Sequence, residues 1–110
     1  MLQPGLRGKA VPVAAVVTNF SAPSTFSDAY FAPTELTTLL HELGHTMHNI
    51  CSSTRYARFH GVQVERDFVE APSQMLENWV WQAPTLTKLS GHYLDHSKPL
   101  PADLLQRLID

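Results

Sequence analysis

Apolar residues recur at Leu36, Leu39, Leu40, Leu43, Met47 and Ile50, the i, i+3, i+4, i+7 spacing of a single helical stripe. The spacing predicts a helix that starts at Pro33-Thr34-Glu35 and runs to about Ile50 or Cys51. Thr34 suits the cap, and Glu35 is favourable near the positive end of the helix dipole. Upstream, Ala10–Phe20 carries β-branched residues at positions 11, 13, 16, 17 and 18 and reads as a strand. Ser21–Pro33 reads as a loop, and its rings at Phe26, Tyr30 and Phe31 indicate that it packs on something. A second helical stretch is predicted over roughly Val64 to Trp81, with Pro72 marking a kink or a fresh helix start. Further on, Gly91 suits a C-cap after Thr85–Ser90, and Asp103–Ile109 forms a short amphipathic segment. The expected fold class is mainly α with a small β element near residues 10–20.

The polar side of the first helix changes this picture. With Leu36 at zero and 100° per residue, the apolar stripe clusters near zero, while His41 and His45 lie at about 140° and 180°. The stripe is therefore expected to anchor in a core, leaving the histidines to line a cleft. Residues i and i+4 stand one turn apart, so in His41-Glu42-Leu43-Gly44-His45 both imidazoles can reach one tetrahedral Zn²⁺. Glu42 projects from the adjoining side, where it can take a proton from a water on the metal. Gly44 costs ~1 kcal/mol in a helix interior, which suggests that another backbone or a substrate comes close. His48, at about 120°, stands beside the two histidines; it could bind substrate, support the site from behind, or simply occupy a polar face. Cys51 is expected to be a small buried residue. A catalytic zinc keeps three protein ligands, and the candidates for the third are Glu65, Asp67, Glu70 and Glu77. Spacing does not choose among them, and any one could be a surface carboxylate paired with a cation such as Arg66.

Composition narrows the setting. The chain has 110 residues, 44% hydrophobic and 16% charged, which suits one globular domain. A formal charge of −2, with no basic run, gives no sign of a nucleic-acid partner. The one cysteine excludes an internal disulfide and points to a reducing compartment. The apolar stretch Val11–Val17 is too short for a membrane span and fits a signal peptide poorly. A soluble protein without a membrane partner is expected.

The segments HELGHTMHNIC (His41–Cys51), RYARFHG (Arg55–Gly61) and VERDFVEAPSQMLENWVW (Val64–Trp81) resemble the thimet oligopeptidase, neurolysin and saccharolysin family of zinc peptidases. The likeness extends to QPG at Gln3–Gly5, to VAAVVTNFSAPS at Val13–Ser24 and to Leu89–Ile109. It implies one Zn²⁺ held by His41, His45 and Glu70, with Glu42 as general base, and a zincin-like core in which the two ligand-bearing helices pack together. It also implies cleavage of short peptides and a cytoplasmic location, with the mitochondrion as the alternative. The strand near Val13–Asn19 would be the edge strand along the cleft, open to an extended substrate. Members of the family are several times longer than this chain, so residues 1–110 are expected to be part of a catalytic domain. The second channel wall, and the histidine and tyrosines that contact substrate and the oxyanion, would belong to the remainder. Such a piece could bind zinc with little or no catalysis of its own.

Overall fold

Backbone hydrogen bonding in a computed structural model, which describes residues 3–20, 22 and 30–109, is mainly helical. Among the described residues the helices are α1 (Pro33–Ile50), α2 (Arg66–Val69), α3 (Ala71–Glu77), α4 (Ala83–Leu89) and α5 (Ala102–Ile109), with a 3₁₀ turn at Ala57–Phe59. The described residues up to Glu77 form one compact unit, and those from Asn78 form a second. No helix among them is long and apolar enough to cross a membrane.

The β element is smaller than expected. The chain turns back on itself through Gly8, at φ 69°, and closes antiparallel bridges between Leu6 and Ala10 and between Gln3 and Val13. Arg7 also donates its N–H to the carbonyl of Thr54 at 3.1 Å. Beyond Val13, no backbone pairing extends through residues 14–20 among the described residues. Strand propensity at these positions is a tendency that needs a neighbouring strand to be realised. The expected loop falls partly outside the described residues, Phe26 included; Phe31 packs edge-to-face on Phe20, with ring centroids 4.9 Å apart.

Helix α1 begins one residue before the expected cap. Ala32 is the N-cap and Pro33 the first helical residue, a position where the missing N–H of proline would have had no helical partner. Glu35 reaches back to accept the Ala32 N–H at 2.9 Å, supplying the carboxylate half of a capping box. At the other end Cys51 is the C-cap and is exposed, not buried as expected.

The side of α1 that packs on α3 is not its apolar stripe. Leu36, Leu39 and Leu40 of the stripe are half-buried and Leu43, Met47 and Ile50 are 38%, 46% and 44% exposed, whereas Gly44 and Asn49 are buried. On the same wheel Gly44 and Asn49 stand at about 80° and 220° and bracket His41 and His45. This side meets α3, the principal helix–helix contact within the unit. Gly44 makes the approach possible: a Cβ there would lie 2.4 Å from the Ser73 Cα and 2.7 Å from the Pro72 carbonyl oxygen. The close neighbour that this glycine called for is thus the backbone of α3.

The long second helix predicted over Val64–Trp81 divides at Glu70, which lies in helical conformation between α2 and α3. Pro72 has no N–H to continue the ladder, and hydrogen bonding resumes with the Gln74 N–H on the Glu70 carbonyl at 2.9 Å. Residues 78–81 are turns rather than helix. Burial around the first unit's helices is polar or glycyl, with Asn49, His60 and Ser73 buried beside Gly5, Gly44 and Gly61. The buried hydrophobics of the described chain, Val80 and Leu86, belong to the second unit. There α4 ends at Ser90 in extended conformation, so Gly91 is not a left-handed cap. Its role is closeness: a Cβ at Gly91 would meet the His96 carbonyl oxygen at 3.2 Å.

Candidate metal centre

Three side chains converge between α1 and the start of α3. The Nε2 atoms of His41 and His45 are 3.1 Å apart, and Glu70 Oε2 lies 3.4 Å from the first and 3.3 Å from the second. One turn of helix stacks the two imidazoles on the same face, one above the other. The α2–α3 break brings Glu70 to face them, because Gly44 lets the first turn of α3 sit directly on α1. Among the described residues these three are the group placed to hold a metal ion.

The spacing of the donors can be compared with what a metal requires. Bonds of 2.0–2.1 Å in a tetrahedron place neighbouring donor atoms about 3.3 Å apart, and the three separations here are 3.1, 3.3 and 3.4 Å. Two imidazole nitrogens and a carboxylate are also the donor chemistry of a catalytic zinc site, which leaves one tetrahedral position for water or substrate. The residues therefore fit Zn²⁺.

The surroundings of the three donors differ. His41 Nδ1 is 2.5 Å from Glu77 Oε1, at the end of α3. The fully buried Ser73 hydroxyl lies 2.9 Å from the Glu70 carbonyl and 3.0 Å from Glu70 Oε2, sharing its proton between them. His45 Nδ1 is buried and has no hydrogen-bond partner among the described residues. The side chains of His41, His45 and Glu70 are 27%, 21% and 42% exposed, so the centre opens to solvent.

The other candidates fall elsewhere. Glu65 is the exposed N-cap of α2 and Asp67 is exposed within it, both outside the cluster. Glu77 touches His41 from the side of the ring away from Nε2. His48 is half-buried, its ring 6.2 Å from that of Phe68 on α2, and it does not join the three donors. Glu42 is half-buried, and its carboxylate makes no hydrogen bond or ion pair with another described residue. Sequence reasoning missed the contact between Ser73 and the Glu70 carboxylate. The signal was present in the spacing of Glu70, Ser73 and Glu77, at i, i+3 and i+7, which puts them on one side of a helix.

A helix-borne His-Glu-x-x-His motif joined by a glutamate from a neighbouring helix is the arrangement of a hydrolytic zinc centre. Comparison with known proteins identifies the family. The chain belongs to peptidase family M3, whose family model matches residues 3–110. It is 49% identical over 102 residues to the thimet-like oligopeptidase of Dictyostelium discoideum and 41% identical over 102 residues to saccharolysin of Saccharomyces cerevisiae. It is also 39% identical over 99 residues to oligopeptidase A of Escherichia coli. The alignments take in 92%, 92% and 89% of this chain but 15%, 14% and 14% of those proteins. The chain thus spans about 15% of the length of the curated relatives it matches.

Proposed function

We propose that this chain carries the catalytic centre of a zinc metalloendopeptidase that hydrolyses peptide bonds in short peptides. In this reading His41, His45 and Glu70 hold one Zn²⁺, and Glu42 is the general base. The observation that carries it is the convergence of three zinc-type donors at 3.1–3.4 Å on the His-Glu-x-x-His helix. Membership of a peptidase family, with relatives named as oligopeptidases, supports peptides as the substrate class. The mixed surface charge and the absence of a basic run give no reason to expect a nucleic-acid partner. The single cysteine favours the cytoplasm over an oxidising compartment, with the mitochondrion as alternative.

Bound zinc would supply Lewis acidity, polarising the scissile carbonyl and making a water acidic enough to lose a proton at neutral pH. The chain's own part is the proton. The Glu42 carboxylate is committed to no other described group, so it can accept that proton and return it to the leaving amine. Ser73 meanwhile holds the Glu70 carboxylate in place through its hydroxyl.

A second reading rests on the openness of the site. With Glu70 42% exposed, the centre lacks the water-excluded surroundings in which electrostatic stabilisation of a transition state is strongest. On this reading the 110-residue chain holds zinc and by itself catalyses little. Hydrolysis of a quenched fluorescent peptide separates the two. The first reading expects zinc-dependent cleavage that falls by at least ~10²-fold in Glu42→Gln while zinc content is kept. A Glu42→Gln variant as fast as the parent removes Glu42 as the base, and zinc retention with no cleavage in the parent favours the second reading.

A further inference from the structure

Glu77 is the last residue of α3. A carboxylate there opposes the helix dipole, whose negative end lies at the C-terminus. A local partner is therefore expected to offset that position, and the partner is His41, whose Nδ1 lies 2.5 Å from Glu77 Oε1. The contact spans 36 residues of sequence and joins α3 back to α1. An ionised carboxylate can only accept, so the proton of this hydrogen bond belongs to His41 Nδ1. That assignment leaves Nε2 with its lone pair, directed to the place where His45 Nε2 and Glu70 Oε2 also point.

We propose that Glu77 is a positioning residue for the metal: by accepting the hydrogen bond from His41 Nδ1 it holds the ring in the orientation and tautomer that present Nε2 as a donor. The proposal rests on the reading of His41 as a metal ligand. Glu77 is not itself a member of the donor cluster, because it meets the opposite edge of the ring. An acceptor behind a ligating imidazole fixes the ring and raises the basicity of its donor nitrogen. His45 has no such acceptor among the described residues, so of the two imidazoles His41 is the one held from behind. Glu70, just ahead of α3, and Ser73 and Glu77 within it then act together. The first supplies a donor atom, the second steadies it, and the third steadies a donor on the facing helix.

The test is a Zn²⁺ competition titration of the whole 110-residue chain against a chromophoric chelator, using parent, Glu77→Gln and Glu77→Ala. Loss of an acceptor of this kind weakens metal binding by about 10–100-fold, and that is the loss expected for Glu77→Ala. Glu77→Gln keeps an oxygen that can accept the proton and should lose less, about tenfold at most. It also keeps the side chain's shape if the alanine variant folds poorly. A second readout isolates positioning from general support of the fold. Nitrogen-15 NMR of the metal-free chain, above the pH at which imidazole is protonated, should find His41 as the Nδ1–H tautomer in the parent and without that bias in Glu77→Ala. Zinc affinity within twofold of the parent in both variants overturns the proposal, as does an unchanged His41 tautomer in Glu77→Ala. A parent chain that binds no zinc overturns the metal reading itself and the role of Glu77 with it. Tight binding that survives Glu77→Ala overturns the role of Glu77 alone.

Discussion

The two sides of α1 carry opposite chemistry, and only one of them packs on α3. One side is the apolar stripe, whose Leu36, Leu39 and Leu40 are half-buried and whose Leu43, Met47 and Ile50 are 38–46% exposed. The other side carries His41, Gly44, His45 and Asn49, and it is the side that packs on α3. An amphipathic pattern shows which face is apolar, but it does not show which face another element of the chain will meet. Here a single glycine decides the contact. Without a side chain at residue 44, two backbones come close enough for a carboxylate on one helix to reach two imidazoles on the other.

Adjacent substitutions put this contrast under strain, and the largest effect should come from Gly44→Ala. Alanine gains up to ~1 kcal/mol of helix propensity over glycine. Its methyl, however, would sit 2.4 Å from the Ser73 Cα and 2.8 Å from the Ser73 nitrogen, both backbone atoms that cannot swing aside. Overpacking of this kind costs ~1–3 kcal/mol or more, so a net loss of stability is expected in urea unfolding, accompanied by weaker zinc binding as α3 is pushed away. If Gly44→Ala is more stable than the parent, the close approach of the two helices is wrong. On the other side of the helix, Met47→Gln should shift stability by no more than ~0.5 kcal/mol, as surface positions do. A cost at Met47 larger than that at Gly44 would reverse the contrast between the sides.

The smallest effect is expected in the second unit, far in sequence from either side of α1. The Ser97 hydroxyl, Lys98 and the Ser97 N–H hold the Asp95 carboxyl below its usual range. A depressed carboxylate stabilises its turn fully above the unfolded pKa, near 3.9, and that contribution is lost as pH falls through the lower folded value. The Asp95 side chain is 40% exposed, so solvent screens its charge and the effect is local. Hydrogen exchange at the Ser97 N–H, which donates to Asp95 Oδ1 at 3.2 Å, should lose protection in acid. Protection at Ser97 that does not change between neutral pH and pH 2 would remove this role for the turn.

Much of the helical framework was legible in the sequence because it depends on local rules. The stripe from Leu36 to Ile50 placed α1 to within a residue or so, and of the kink or fresh start that Pro72 marked, the structure has the fresh start, α3. The failures concern partners distant in the chain. Residues 14–20 have the composition of a strand but no strand to pair with among the described residues. Gly91 looked like a helix cap, whereas its small size answers to the His96 backbone. At the site, the i, i+4 spacing alone brings His41 Nε2 and His45 Nε2 together, since one turn of helix does the work. Choosing Glu70 over Glu65, Asp67 and Glu77 took the resemblance to a family, because that choice depends on how α3 docks. The contact between Glu77 and His41 depends on the same docking and has no signature in either segment taken alone.

Zinc content is the most direct test of the central claim that α1 and α3 together build a metal site. Folded chain, purified, freed of loosely held metal by gel filtration and analysed by atomic emission, should carry close to one zinc per molecule. His45→Ala, which removes one of three donors, should carry almost none while keeping the helical circular dichroism of the parent. A well-folded parent with no zinc, or a His45→Ala variant that holds zinc as tightly as the parent, would contradict the account.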